Sequence, residues 1–201
     1  MKRESIYKIF SNIPTLRTER LSLRALHPID AEDMYDYAKR EDVTKYLTWK
    51  PHLSIGYTKD YLRYIQNRYT LGDFYDWAVI HKDSRRMIGT CGFTTIDTAN
   101  NSAEIGYVIN PDFHGMGLGT EAVERVIEFG FEELGLNRIQ ARFMQDNIRS
   151  RKLMERVGMT FEGFSRNAVY VKGEYRTVGI CSILRSEWNK PEKTVKKWQN
   201  S

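Results

Sequence analysis

The sequence predicts an α/β (α+β) domain built on a mixed sheet, and three observations carry that prediction. Period-two apolar segments alternate with segments of helical spacing. A glycine-rich loop separates a strand from a strongly amphipathic helix. The 201 residues are 41% hydrophobic and 28% charged, a globular balance that excludes a disordered or fibrous chain. A chain of this length buries a core without disulfides or metals.

Each element has a local reason. Arg20–Arg24 alternates with period two and reads as a strand. Asp30 follows as a helix N-cap, with Met34, Tyr37 and Ala38 at helical spacing behind it. A second helix starts near Thr58 and places Tyr61, Leu62, Ile65 and Tyr69 on one face. Trp77–His81 and Met87–Phe93 flank a polar turn and form a hairpin, and Ala103–Ile109 is the next strand. The helix at 120–134 carries Val123, Val126, Ile127, Gly130 and Leu134 as one stripe, with Glu121, Glu124, Arg125, Glu128 and Glu132 turned away. Gly135 stops it. Arg138–Met144 is a strand, Ile148–Val157 a short helix closed by Gly158 with Met159 packed on Met154, and two strands around Lys172-Gly173 end near Leu184. Residues 1–14 read as a loosely attached lead-in, 15–188 as one domain, and 189–201 as a basic, solvated tail.

The net charge of +5 suits an anionic ligand without requiring nucleic acid. No apolar run is long enough to span a membrane, and the basic start lacks a secretory core, so a cytoplasmic protein is expected. Cys91 and Cys181 read as small core residues in strands, not as a disulfide framework or an activated nucleophile. The four histidines are scattered, so no metal site is expected. The aromatic loop Tyr46–Tyr57 suits either a peptide groove or ordinary packing.

The most informative stretch is His114-Gly115-Met116-Gly117-Leu118-Gly119-Thr120, which joins a strand to a helix. The first turn of a helix leaves N–H groups unpaired at the positive end of its dipole, and glycines let the loop curl around an anion. A P-loop would need Gly-Lys-Ser/Thr, whereas Gly119 is followed by Thr120-Glu121. A dinucleotide fingerprint needs GxGxxG early in a βαβ unit. A second helix start near Asn147 and the basic run Arg138, Arg142, Arg149, Arg151, Lys152 and Arg156 extend the anion site toward a ligand with several phosphates; Arg156 reads as exposed helix face.

At these residues the sequence resembles the GNAT superfamily of acetyl-CoA-dependent N-acetyltransferases. His114-Gly115-Met116-Gly117-Leu118-Gly119 follows the family's Gln/Arg-x-x-Gly-x-Gly/Ala loop except at His114, whose side chain would mainly shape the loop. Asn147, Ser150, Leu153 and Gly158 match its Asn-x-x-Ser/Ala-x-x-Leu motif and the glycine after it, with Met159 in place of Phe. Leu16–Arg24, Asp30-Ala31 and Ile88–Phe93 are similar to the RimJ/RimL-type branch, which acetylates N-termini of ribosomal proteins. The resemblance covers Leu16 to Trp188 and implies a mostly antiparallel twisted sheet flanked by helices, with the fourth and fifth strands splayed apart, here Ala103–Ile109 and Arg138–Met144.

The same resemblance implies acetyl-CoA as co-substrate. Its pantetheine arm would lie in the splay, and a backbone N–H near Val108 or Ile109 would meet the acetyl oxygen. The diphosphate would sit on amides from Met116 to Thr120. Asn147 and Ser150 would face the thiol end, and Arg151 or Lys152 the outer phosphates. The reaction is attack of a neutral amine on the thioester, which needs a base, an oxygen donor and a proton for the leaving thiolate. Glu104 in Ala103-Glu104-Ile105 stands where family members hold a catalytic glutamate; it reads equally as a glutamate paired to an arginine or in water. The usual tyrosine acid is replaced by Met154, which leaves Ser150 as the motif hydroxyl, with Tyr107 and Tyr170 open. The expected acceptor is a protein N-terminus. A small amine such as a polyamine, an antibiotic or an amino acid is the alternative within the same chemistry, and an acyl-CoA-binding module without turnover the alternative outside it. Nucleic acid would be met only through the ribosome, and a homodimer is compatible with the sequence.

Overall fold

The structure is a computed structural model and describes residues 3–188; the basic tail expected at 189–201 lies outside them. In chain order the elements are α1 (Arg3–Phe10), β1 (Leu16–Arg17), β2 (Leu21–Arg24), α2 (Ala31–Ala38), α3 (Glu41–Thr44), α4 (Ile55–Thr70), β3 (Tyr75–His81), β4 (Met87–Asp97), β5 (Ser102–Ile109), α5 (Leu118–Glu132), β6 (Arg138–Met144), α6 (Ile148–Arg156), β7 (Thr160–Val171) and β8 (Glu174–Leu184).

The strands form one sheet in the order β1-β2-β3-β4-β5-β6-β8-β7. All neighbouring pairs but one are antiparallel: β1–β2, β3–β4, β4–β5 and β7–β8 as consecutive strands, and β2–β3 and β6–β8 across longer connections. The exception is β5 with β6, which run parallel because α5 carries the chain back between them. One sheet face packs against α1, α5 and α6 through Trp77, Phe93, Val126 and Phe129, among others. The other face packs against α2 and α4 through Ala78, Met87, Leu62 and Ile65.

Local chemistry sets the boundaries. α4 begins at Ile55, earlier than the apolar spacing suggests, because the Ser54 hydroxyl accepts the Tyr57 N–H at 3.1 Å. Asp30 does not cap α2 with its side chain. Its carboxylate instead pairs with Arg24 at 2.6 Å and accepts the His27 N–H at 2.8 Å, which closes a short 3-10 turn before the helix. α6 ends as expected at Gly158, with φ +86°, where the Met159 N–H returns to the Met154 carbonyl at 3.0 Å.

The N-terminal segment is not loosely attached. Ile6 and Phe10, one helical turn apart on α1, are buried. Phe10 is fully enclosed, with its ring 4.7 Å from Tyr75, 5.7 Å from Trp77 and 6.3 Å from Phe129 in edge-on contacts. Phe10→Ala should therefore cost ~3–5 kcal/mol and lower Tm by about 10 °C. A scanning calorimetry shift of less than ~2 °C would show α1 to be peripheral after all.

Candidate active site

The sheet parts in its middle. β5 and β6 pair only at Ser102–Arg138, Ala103–Ile139 and Glu104–Gln140. Beyond Glu104, β5 stays bonded to β4 as far as Ile109, and β6 stays bonded to β8 as far as Met144. The two strands therefore separate toward their C-terminal ends, as the family resemblance implies. Strand backbone alternates sides, so neighbouring residues aim their N–H and C=O groups at opposite neighbours. The Val108 carbonyl faces β4, where it crowds Gly89, while the Ile109 carbonyl faces away and takes the His114 ring N–H. Of the two residues expected to offer an N–H to the gap, Ile109 does so. Val108 turns its backbone to β4 and its side chain to the α2–α4 core.

Below the gap the chain turns through His114–Gly119 into α5. Gly115 and Gly117 have φ of +80° and +77°, the left-handed region that L side chains avoid. Gly117 is the N-cap of α5 and has no side chain to fill its first turn, so the amides of Leu118, Gly119 and Thr120 are presented at the positive end of the helix. Gly119 is needed for a different reason. A Cβ there would lie 3.1 Å from Leu153 and 3.4 Å from Ile109, at the junction of α5, α6 and β5. His114 clamps this junction: its Nδ1 accepts from Arg149 and its Nε2 donates to the Ile109 carbonyl, both at 2.9 Å. An arginine can only donate, so this arrangement needs the neutral imidazole with its proton on Nε2.

Two residues of this cradle escaped the sequence reading. Arg20 donates to the Met116 carbonyl at 2.7 Å and lies against Gly117. Glu121 does not face away from the fold; its carboxylate is 17% exposed and binds Thr18 at 2.5 Å and the Arg20 Nε at 2.7 Å. Burial pushes the Glu121 carboxyl up, but the bonds from Thr18 and Arg20 outweigh it and hold it below its usual range. The partners are about a hundred positions apart (103 for Thr18, 101 for Arg20), so no local pattern could pair them.

The basic residues of α6 divide by helical position. Arg149, Lys152 and Arg156 line the cleft, and Arg156 reaches Thr120 at 3.4 Å. Arg151 points elsewhere: its Nε pairs with Glu155 at 2.8 Å and its guanidinium lies 4.4 Å above the Phe161 ring. The expectations for Arg151 and Arg156 are thus exchanged. Residues three, four and seven apart share a helix face, and 149, 152 and 156 form that face. The whole cleft, about 2270 Å³, runs from Arg17 and Arg20 past the loop to Tyr46 and Asp146. Ligand pockets usually measure about 300–1,000 Å³, so this one has room for an elongated phosphate-bearing ligand and a second substrate. The glycine cradle, the unpaired edge of β5 and the basic face of α6 fit coenzyme A.

At the inner end of the gap two hydroxyls meet. The Tyr107 hydroxyl, from β5, lies 2.8 Å from the Ser150 Oγ and 3.2 Å from the Ser150 carbonyl on α6. Burial pushes the Tyr107 phenol well above its ordinary value, with the Ser150 bond opposing. Asn147 caps α6 by accepting the Ser150 N–H at 3.1 Å, which fixes the serine in place. Tyr170 is not part of this group; it is 64% exposed and packs on Tyr175 at the far end of the β7–β8 hairpin. Met154 is buried in the core behind the site.

Glu104 lies where β5 and β6 are still paired. Its carboxylate takes the Arg142 Nε at 2.8 Å and the Gln140 amide at 3.2 Å. It is not among the residues lining the cleft. Of the settings that the sequence left open, the structure places it in the one with an arginine partner. The thiols of Cys91 and Cys181 are buried, and burial pushes both up, which keeps them from being activated nucleophiles.

Comparison with known proteins gives the geometry a family. Residues 20–160 match the model of the acetyltransferase (GNAT) domain. An uncharacterized N-acetyltransferase, p20 of Bacillus licheniformis, is 36% identical over 174 residues, covering 87% of this chain and 98% of the relative. The [ribosomal protein uS5]-alanine N-acetyltransferase of Escherichia coli is 26% identical over 187 residues, covering 89% and 95%. Among solved structures, the ribosomal L7/L12 α-N-protein acetyltransferase RimL in complex with coenzyme A superposes with a TM-score of 0.73 at 20% identity, covering 85% of this chain and 98% of that one. The chain belongs to the GNAT acetyltransferase family and is an acetyl-CoA-dependent N-acetyltransferase.

Proposed function

We propose that the acceptor is the α-amine of a protein N-terminus, with a ribosomal protein the first candidate. The observation that carries this reading is the disposition of protic groups around the gap. Tyr107 and Ser150 can supply a proton, whereas the carboxylate expected as base is engaged by Arg142 and Gln140. Both contacts fall on its Oε2, and the carboxylate lies outside the cleft in which an acceptor amine would meet the thioester. Such a site suits an amine that is already deprotonated in part. An α-amine titrates near ~7.7–8.0 and a lysine near ~10.4, so about a tenth of the former is neutral at pH 7, against less than about a thousandth of the latter. The Escherichia coli relative supports the same class, because its name specifies the alanine of a ribosomal protein.

In this mechanism acetyl-CoA supplies the activated acyl group. The amides of Leu118 to Thr120 and the side chains of Lys152 and Arg156 hold the phosphates, and the Ile109 N–H polarises the acyl oxygen. As the amine nitrogen bonds to the acyl carbon and the carbon–sulfur bond breaks, Ser150, fixed by Asn147 and bonded to Tyr107, gives its proton to the leaving thiolate and regains the one that the nitrogen sheds, relayed through water. Glu104 positions Arg142 and the strand junction. The test compares thiol release from two peptides of one composition, one with a free N-terminus and no lysine, the other N-terminally blocked with one internal lysine. The free N-terminus should give kcat/KM at least about tenfold higher at pH 7. Faster turnover of the lysine peptide would overturn the reading.

A further inference from the structure

A second cavity of about 190 Å³ opens off the Tyr46 and Asp146 end of the cleft and shares these residues and Lys45 with it. Its other wall is the β7–β8 hairpin, which contributes Lys172, Tyr175 and Arg176. The hairpin is tied across the opening: Lys172, held at φ +54° in the turn, donates its ammonium to the Thr44 carbonyl of α3 at 2.5 Å.

Charge follows an order along this passage. Asp146 stands at the junction with the cleft, and among the described residues no cation lies within ion-pair distance of it. Lys45 stands at the same junction, Lys172 and Arg176 line the second cavity alone, and Lys50 lies close to Lys172. Arg176 is matched by Glu174. Among the described residues, the ammonium groups of Lys45, Lys50 and Lys172 have no carboxylate within ion-pair distance. The Thr44 carbonyl and the Tyr46 ring, 5.2 Å from the Lys45 Nζ, are neutral partners, so the positive charge of the cluster is not balanced by an anion.

We propose that this cavity is an anion-binding subsite for the acceptor, and that the enzyme selects N-termini followed within a few residues by aspartate or glutamate. The proposal rests on the N-terminal acceptor reading and names its sequence class. A peptide of that kind carries charge in the complementary order: its α-ammonium passes Asp146 on the way to the gap, and its carboxylates then meet the lysines. Complementarity of this kind raises on-rates and discriminates against the opposite charge. It disfavours polycations, whose second amine would enter the lysine cluster.

The test uses three free-N-terminus peptides that are identical except that the second to fourth residues are acidic, neutral or basic. The acidic peptide should exceed the neutral one about tenfold in kcat/KM at low salt, ~1.4 kcal/mol, and the advantage should shrink as ionic strength rises. Lys172→Asn, which keeps a residue tolerant of positive φ, and separately Lys45→Gln should reduce that ratio to about threefold or less. Lys8→Gln, the same charge change on α1, should leave the ratio as it is. Calorimetric binding of the same peptides to the enzyme with coenzyme A separates the two readings. Acidic-over-neutral binding with no turnover of any peptide would overturn the N-terminal acceptor and keep the subsite. Equal binding of all three, or a preference that survives both lysine substitutions, would overturn the subsite.

Discussion

Gly117→Glu should weaken acetyl-CoA binding at least about a hundredfold while leaving the fold intact. Two effects act at one position. The backbone there has φ +77°, which costs an L side chain ~1–2 kcal/mol. The new carboxylate would also stand at the mouth of α5, where the helix dipole and the first-turn amides are arranged for a diphosphate. Arg20 lies against this glycine and cannot neutralise both anions, since it is already bound to Glu121 and to the Met116 carbonyl. Gly117→Ala separates the terms. It carries the strain alone and should lose only about tenfold. Titration calorimetry with acetyl-CoA reads both variants, and circular dichroism checks the fold. Wild-type affinity in the glutamate variant would show that the phosphates bind elsewhere.

The contrast between Gly117 and Arg20 marks the limit of what the sequence could reveal. A glycine that permits a left-handed turn and an Asn that caps a helix are written in local order, whereas the gap between the two strands came only with the family resemblance. The local features appear within ten residues of chain and carry their own physical reason. The same holds for α6, where spacing alone would have put Arg149, Lys152 and Arg156 on one face and Arg151 on another. Arg20 and Glu121 are different: their bond closes a separation of 101 residues, and either side chain alone reads as solvated surface. Glu104 is intermediate. Its strand was legible, but its role turned on whether Arg142 of the parallel neighbour reached it, and that depends on where the two strands stop pairing. The N-terminal helix carries a signal too weak to set its packing. Ile6 and Phe10 have helical spacing, but a short apolar pair is weak evidence until the aromatic pocket of Tyr75, Trp77 and Phe129 is known.

Proton delivery is where the largest catalytic effect is expected. Ser150→Ala should lower kcat about a hundredfold, the low end of what a positioned general acid contributes, with KM for acetyl-CoA within about twofold of wild type because the phosphate cradle is untouched. Tyr107→Phe removes the hydroxyl that orients Ser150 at 2.8 Å and should cost about tenfold. If the two act as one unit, the double variant should be no slower than Ser150→Ala alone, whereas independent roles would multiply to about a thousandfold. The pH profile adds a sign. Burial raises the Tyr107 pKa, so the phenol stays protonated beyond its usual ~10. The rate should accordingly rise as the acceptor amine deprotonates and then hold, without an alkaline limb from this tyrosine below pH ~10. An alkaline fall below that point which disappears in Tyr107→Phe would mean that the tyrosine titrates in its ordinary range and that the dyad is not an enclosed proton source. Multiplicative losses in the double variant would separate the hydroxyls and leave Ser150 to act through water.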